Sequence, residues 1–142
     1  KDKLPKIANL FNRDGGPEPP VGISVPQAMY DDFVKISEPI QKIRPDYPFE
    51  VKVREPRKRP TRMGGTDASV FAIEGVPTLG FTTEDFKGYD FDYGEIWHTE
   101  RDLYTKNIPE YQEHTATVTA IIALGVANLD KQLSREGLYT EE

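Results

Sequence analysis

Apolar residues recur at helical spacing in two parts of the chain. From Pro109 onwards the spacing continues for about six turns of ~3.6 residues, which predicts a long helix with one packing face. The residues of this stripe are Tyr111, Thr115, Val118, Ile122, Val126, Leu129 and Leu133. A shorter helix is predicted from Pro26, which suits a first helical turn, and Pro39 is expected to kink or restart it. Its apolar positions are Met29, Phe33, Ile36, Ile40 and Ile43.

Short apolar runs between turn residues predict the strands. Residues 6–12 are largely apolar and are followed by Asp14 and two glycines. We therefore expect a buried strand that places Asp14 at its C-terminal edge. Residues 21–25 predict a second extended segment. The alternation of apolar and polar residues over 49–53 is typical of a half-exposed strand at a sheet edge.

A helix, a tight turn and a strand are predicted to follow one another in the middle of the chain. The apolar spacing over 68–74 predicts a short helix that ends at Gly75. Thr66 or Asp67 is placed to cap its start. Residues 76–82 are mainly β-branched or apolar and predict the strand. Helices and strands that alternate in this way indicate the α/β class, and 142 residues suit a single domain.

Composition excludes several classes of protein. Hydrophobic residues make up 37% of the chain and charged residues 30%, which is enough apolar mass for a core and too much for a disordered chain. The longest apolar run, from Ala120 to Ala127, is far shorter than the ~20 residues that cross a bilayer, so no membrane span is predicted. A net charge of −6 argues against binding driven by a basic surface, so we expect no nucleic-acid partner.

Two stretches stand out by their charge. Residues 52–62 carry six basic residues against one acidic residue, and this run is either a phosphate or nucleic-acid patch or a solvated loop. The lack of interleaved aromatic residues and the acidic charge of the whole chain favour the loop. Residues 84–102 are irregular and rich in acidic and aromatic residues. Loops of this length are commonly functional or disordered.

The two histidines are the main candidates for a base or a metal ligand, because the chain contains no cysteine. His114 lies beside the apolar stripe of the long helix, where a packed or surface residue is the usual interpretation. His98 lies at the end of the acidic stretch, shortly before another element. Loops that are held rigidly on both sides often carry active groups, so His98 is the better candidate.

Three segments resemble, in the same order, the signatures of the C-terminal half of the co-catalytic zinc exopeptidases. The segments are 11–14 (FNRD), then 65–68 (GTDA) with Phe71 and 75–78 (GVPT), and finally 97–99 (WHT) with Asp102. This family, in the MH clan of metallopeptidases, includes bacterial leucyl aminopeptidase, plasma glutamate carboxypeptidase and, more distantly, glutaminyl cyclase. The resemblance spans residues 7–129.

The resemblance implies a metal centre that uses Asp14 and His98. In the family, the aspartate of the first segment binds one zinc ion and the histidine of the third binds the other. Zinc accepts carboxylate oxygen and imidazole nitrogen, and a pair of zinc ions polarises the scissile carbonyl and acidifies the bound water. The resemblance therefore implies hydrolysis of a peptide substrate from one end, by an aminopeptidase or a carboxypeptidase.

Four further residues receive roles from the resemblance. Asp67 is expected to line the pocket near substrate and metal as a catalytic residue, or otherwise only to cap the helix that follows it. Asp102 is expected to fix the loop or a neighbouring helix start, or to be a partner of His98. Trp97 and Tyr93 are expected to form the pocket wall, with structural packing as the alternative.

The implied fold is a partial three-layer αβα sandwich of the phosphorylase/hydrolase-like zinc peptidase type. It would have a mostly parallel sheet, with the long C-terminal helix on one face. Residues 1–142 would form a single domain, the C-terminal portion of a catalytic domain. The chain begins without a signal segment, so we expect a piece of a longer precursor, and the family suggests a secreted or periplasmic location.

The family's N-terminal portion supplies groups that this sequence lacks. They are a His-x-Asp pair, whose aspartate bridges the metals, and a Glu-Glu pair, which provides the general base and a ligand. No His-x-Asp precedes Asp14, and the sole Glu-Glu pair is at 141–142. We therefore expect the isolated chain to be inactive and to bind zinc weakly or not at all. The missing N-terminal half would be its partner, and an exposed strand edge would favour self-association.

Two alternatives remain open at this point. A non-catalytic module could have kept the peptidase scaffold for binding or assembly and lost the metal site, although the presence of both Asp14 and His98 argues against this. A glutaminyl cyclase is suggested by residues 97–99, whereas residues 64–67 are more similar to the peptidases.

Overall fold

The computed structural model describes residues 2–140 and contains both helices and a sheet. In chain order the elements are a 3-10 helix at Leu4–Lys6, β1 at Pro20–Val25, a 3-10 turn at Gln27–Met29, α1 at Tyr30–Ile43, β2 at Glu50–Val53, α2 at Ala68–Ile73, β3 at Phe81–Thr83, α3 at Tyr93–Ile96, a 3-10 turn at Tyr104–Lys106 and α4 at Pro109–Ala127. The expected α/β class with a long C-terminal helix is confirmed. The Glu141–Glu142 pair lies outside the described residues.

The sheet formed by residues 2–140 has three strands in the order β2-β1-β3. β1 runs parallel to β2 and antiparallel to β3, so the sheet is mixed. The strands predicted at 21–25 and 49–53 are confirmed, and β2 lies at an edge of the sheet as expected.

The strand predicted over residues 6–12 is wrong. This segment is irregular. The side chain of Asn9, rather than a ladder of backbone hydrogen bonds, attaches it to residues 77–79 of the same chain. The Asn9 amide donates to the Leu79 carbonyl oxygen at 3.2 Å and accepts from the Leu79 N–H at 2.8 Å. The N–H of Leu10 donates to the Pro77 oxygen at 2.9 Å. Because Pro77 has no N–H to return, the ladder does not continue.

Two expectations that depended on this strand change with it. Asp14 follows an irregular segment and does not mark the end of a strand. The strand predicted over 76–82 begins only at Phe81, since Pro77 lies in its first half and cannot donate to a partner strand.

The two faces of the sheet differ in polarity. Side chains of directly paired residues share a face, so the register puts Ile23, Val51 and Phe81 on one side. Helices α1 and α4 pack against each other and cover this side, forming one core with Ile23 and Val25. The opposite face carries Gly22, Ser24, Glu50, Lys52 and Thr82. It is therefore a polar face, and Glu50, Lys52 and Thr82 are exposed on it.

Helix α1 follows the predicted stripe with two corrections. Met29, Phe33, Ile36 and Ile40 are buried as expected. Ile43 is 57% exposed, because the last turn of α1 extends past the edge of the core. Pro39 neither ends nor restarts the helix, which continues to Ile43 despite the N–H that a proline lacks and the contact of its ring with the preceding turn.

Helix α4 is shorter than the stripe that predicted it. It ends at Ala127, with Asn128 as its C-terminal cap residue. Leu129 and Leu133 lie beyond it, yet Leu133 is buried, because the irregular chain that follows α4 continues along the same core. In the part of the chain that the structure describes, no helix combines the length and the apolar character that crossing a membrane requires.

The segment after α4 returns to the beginning of the described chain. The Arg135 guanidinium donates to the carbonyl oxygens of Leu4, Pro5 and Ile7 at 3.3, 3.2 and 3.1 Å. The Gln132 amide donates to the Pro5 oxygen at 2.7 Å. These side chains satisfy carbonyl groups of a segment that has little regular structure of its own.

His114 is a packed residue of the core, as its position in the apolar stripe indicated. It is fully buried in α4. Its Nε2–H donates to the Pro20 carbonyl oxygen at 3.2 Å, and its ring stacks on the Tyr47 ring with 3.9 Å between centroids. Burial lowers the pKa of the imidazole, because the charged form loses its hydration.

We expect the free energy of unfolding to fall between pH 7.5 and pH 5.5, because of His114. A folded-state pKa below the unfolded value of about 6.5 means that the unfolded chain binds more protons in this range. The slope for one group is at most about 1.4 kcal/mol per pH unit. Urea unfolding at several pH values should give a flatter profile for His114→Gln. A His114→Gln variant with the same slope as the unchanged protein would contradict the assignment.

Candidate functional site

Five of the six candidate residues line one cavity. This cavity of about 730 Å³, which we name the His98 cavity, lies between the turn at residues 13–17, the stretch 93–107 and the first turns of α4. The candidate residues on its wall are Asp14, Tyr93, Trp97, His98 and Asp102. The structure therefore brings together the first and the last of the three sequence motifs.

Asp14 lies in a turn that its neighbours hold in place. The Arg13 guanidinium donates to the carbonyl oxygen of Gly16 at 2.7 Å and also to that of Glu18. Burial lowers the pKa of Arg13, since its charge is partly removed from water. The Asn12 amide donates to the Asp14 carboxylate at 2.7 Å, and Asp14 itself is exposed to the cavity. The turn thus fixes the direction of one free carboxylate.

Gly16 explains why this turn meets the aromatic loop. Its φ of +73° is a backbone conformation that favours glycine. A Cβ atom at this position would lie 2.8 Å from Cζ of Phe91 and 3.4 Å from Cδ2 of Tyr93. The Phe91 and Tyr93 rings therefore pack directly on the turn, and this contact places the Asp14 turn beside α3.

The short helix α3 positions the histidine. The Asp92 carboxylate accepts from the Gly94 N–H at 2.8 Å at the helix start, and Ile96 is buried at its end. His98 follows with a φ of +56°, in the left-handed region that non-glycine residues seldom occupy. Asp90 in the same part of the chain has a similar φ of +55°, so both positions are tight turns of the backbone.

Thr99 stabilises the turn that carries His98. Its hydroxyl donates to the carbonyl oxygens of Glu95 and Ile96 at 2.9 and 3.2 Å, and accepts from the Arg101 N–H at 3.2 Å. These bonds join the end of α3 to the residues after the histidine. The His-Thr pair thus has a local reason: the threonine holds the backbone that presents the imidazole.

Exposed apolar side chains surround the His98 cavity. The Trp97 ring lies against the His98 ring with 4.6 Å between centroids, and Trp97 is 58% exposed. Tyr93, Leu103 and Tyr104 also line the cavity and are exposed, Tyr104 to 91%. Exposed apolar groups that cluster around a cavity mark a surface that contacts a ligand or another protein segment.

Asp67 and Asp102 differ in their relation to the cavity. Asp67 is exposed at the N-cap of α2 and lies outside the cavity wall, although Gly65 belongs to it. Asp67 occupies the N-cap position, as one of the two expectations had it, but its side chain accepts no capping hydrogen bond from α2. Its backbone is already helical, whereas a capping side chain usually belongs to an extended N-cap residue. Asp102 is on the cavity wall, and its N–H donates to the Thr99 oxygen at 3.3 Å.

A polar network attaches the preceding loop to α4. The Glu110 carboxylate accepts from Tyr47 at 2.8 Å, from Lys87 at 2.5 Å and from Tyr89. These donors lower the pKa of Glu110 to about 2. The Tyr111 hydroxyl donates to the Asp85 carboxylate at 2.7 Å, and burial together with this bond raises its pKa to about 12. The network holds residues 85–89 in place, ahead of the aromatic residues that contact the Asp14 turn.

Arg13, Lys106 and Gln112 are cavity residues that the sequence did not single out. Lys106 lies 3.4 Å from the Glu95 carboxylate and adds a positive charge to the wall. Arg13 could have been found, since it lies next to Asp14 within the first motif. No pattern in the sequence points to Lys106 or Gln112: Lys106 lies in the 3-10 turn before α4, and Gln112 lies in the first turn of α4, on a polar position outside the apolar stripe.

The donor chemistry of the site is suited to a metal ion only in part. Asp14 offers carboxylate oxygen and His98 offers imidazole nitrogen, the ligand atoms that zinc accepts. Over residues 2–140, however, no three His, Cys, Asp or Glu side chains lie close enough together to hold a metal ion.

Comparison of the chain with protein-family models, with curated proteins and with solved structures finds no match. A functional assignment therefore depends on the residues, their motifs and their arrangement around the cavity.

Proposed function

We propose that this chain is the C-terminal part of a zinc-dependent exopeptidase, of aminopeptidase or carboxypeptidase type, that hydrolyses peptide bonds with a metal-activated water. The observation that carries the proposal is the presence of Asp14 and His98 on one cavity wall. They come from the two outermost motifs and are far apart in the sequence. A zinc site needs such a convergence of oxygen and nitrogen ligands on an open cavity.

The number of ligands supports a divided site. A catalytic zinc ion normally takes three protein ligands and a water molecule, whereas this cavity offers one carboxylate and one imidazole of the expected pair. The residues present do not complete a zinc site. The bridging aspartate, the general base and a further ligand would come from the N-terminal half of the catalytic domain, which is the proposed partner of this chain.

The residues of this chain would prepare the site rather than perform the chemistry alone. Arg13 and Asn12 hold the Asp14 turn, and Thr99 holds the backbone of His98. Trp97 and Tyr93 provide an apolar wall that a substrate side chain can contact. A catalytic role for Asp67 requires that the complete pocket extends beyond the His98 cavity, past Gly65, to the start of α2. Asp102 is proposed to support the loop near His98.

The finer fold assignment belongs to the same proposal. The three strands and α1 and α4 would form one part of a three-layer αβα sandwich with a mostly parallel sheet, whose further strands come from the N-terminal half. The family also suggests a secreted or periplasmic location, and self-association is expected wherever the N-terminal half is absent.

The proposal is tested with the complete gene product beside the 142-residue chain. We expect the complete product to hydrolyse aminoacyl or carboxyl-terminal chromogenic peptides, to lose this activity on chelation and to regain it with zinc. The isolated chain should show no hydrolysis with excess zinc, and calorimetric titration should detect weak binding or none.

Two outcomes would reject or redirect the proposal. Submicromolar, stoichiometric zinc binding with turnover in the isolated chain would show that residues 1–142 hold a complete site. A complete product that lacks metal and activity but binds peptides would establish the alternative of a non-catalytic binding module.

A further inference from the structure

The polar face of the sheet carries a cavity that is separate from the His98 cavity. This cavity of about 340 Å³ lies where β2 ends and β3 begins. Its polar side chains are Ser24, Arg54, Glu55, Arg57 and Thr82. Ser24 and Thr82 belong to the polar face of the sheet, and Arg54 directly follows β2 with its N–H donated to the Val25 oxygen at 2.9 Å. The feature is independent of the proposed peptidase site.

Arg54 borders this cavity, and its guanidinium is partly bonded to backbone. Its guanidinium donates to the backbone oxygens of Glu55 at 3.1 Å and Leu138 at 3.5 Å. Its Nε–H is buried and has no hydrogen-bond partner within residues 2–140. Each terminal nitrogen carries a second N–H, so the guanidinium keeps donors for an acceptor that enters the cavity.

Arg57 adds a second positive charge beside the first. Its backbone is held by a parallel bridge to Tyr139, and its carbonyl oxygen accepts from the Thr140 N–H at 3.0 Å.

Burial lowers the pKa of Arg54, and the charge of Arg57 lowers it further. In the described part of the chain, no carboxylate forms an ion pair with either guanidinium. The two guanidinium groups therefore border the same cavity without an ion-pair partner.

We propose that this cavity binds a single phosphate group, with Arg54 and Arg57 as its main ligands and the hydroxyls of Ser24 and Thr82 as further donors. Guanidinium groups present paired N–H donors that match the oxygens of a tetrahedral oxyanion. Glu55 lines the same cavity and opposes an anion, so binding is modest and depends on salt. The basic run 52–62 has no aromatic residue on which bases could stack, so one phosphate group fits the cavity better than a nucleic-acid strand.

The test is a phosphate titration of the 142-residue chain at constant ionic strength. Inorganic phosphate should produce a saturable shift of the Arg54 Nε–H signal in the nitrogen-15 spectrum and should raise the melting temperature. Glycerol phosphate is titrated in parallel, because tighter binding of that compound would identify a phosphomonoester rather than free phosphate as the ligand. The absence of a saturable shift with both compounds would overturn the proposal.

A matched pair of variants separates a site from general charge attraction. Arg57→Gln should weaken phosphate binding by about tenfold, since it removes one charged donor from the cavity. Lys58→Gln removes the same charge from an exposed neighbour that is not on the cavity wall, and it should leave binding unchanged. Equal losses in the two variants, or an equal shift with sodium chloride, would show charge screening only and would contradict the proposal.

Discussion

Replacing His98 by alanine in the complete gene product is expected, under the proposed function, to remove one of two zinc ions and to lower peptide hydrolysis by at least about a hundredfold. His98 is exposed on the cavity wall in a left-handed conformation that Thr99 stabilises. In the proposed site its imidazole is a direct ligand, so its loss leaves the ion with too few ligands and the bound water less acidic. Metal analysis and a chromogenic peptide assay on the same preparation measure both effects.

His114→Gln is the control for this experiment. It removes the other imidazole of the chain, but from the core rather than from the cavity. We expect full metal content and near-normal turnover at a temperature where the variant is folded. Full zinc content and normal activity in His98→Ala would show that His98 is not a ligand.

The substitution Gly22→Ala is expected to lower the free energy of unfolding by about 2–3 kcal/mol. Gly22 lies in the central strand β1, opposite Glu50 of β2 and Thr82 of β3. An added Cβ would contact the backbone oxygen of Glu50 at less than any normal separation, and would lie 3.3 Å from Oγ1 of Thr82. Because the first obstacle is backbone, a side-chain rotation cannot relieve it, and β2 must move away from β1.

Gly80→Ala is the matched control for Gly22→Ala. It lies just before β3, and nothing comes within 4 Å of a Cβ atom at that position. Urea unfolding should show little change for this variant. A Gly22→Ala protein as stable as the Gly80→Ala protein would mean that β1 and β2 are less closely paired than described.

The elements predicted best from the sequence are those in which the spacing of apolar side chains determines which face is buried. The spacing from Met29 to Ile40 gave the buried face of α1, and the alternation over 49–53 gave the edge strand β2. Residues 6–12 are also apolar but do not form a strand. The reason is that Pro77, in the segment beside them, has no backbone N–H to donate. That obstacle depends on which segments become neighbours, and a local pattern contains no information on this.

The sequence predicted the residues of the candidate site that belong to motifs. It did not predict the residues that only the course of the chain brings to the cavity. The motifs identified Asp14, Trp97, His98 and Asp102, which share one cavity wall. Lys106 and Tyr104 share it as well, but they lie in a short 3-10 turn, where the sequence has no periodic pattern. The position of Asp67 outside the cavity could not be predicted either, since the motif fixes its place in the sequence and not the direction of its side chain.

The bonds from Arg135 and Gln132 to residues 4–7 have a consequence for the order in which the chain folds. They join segments that are up to 131 residues apart, so closing them costs more chain entropy than pairing β1 with β2, which spans far fewer residues. We therefore expect the contacts of Arg135 to form late in folding. Removing them should accelerate unfolding more than it slows folding.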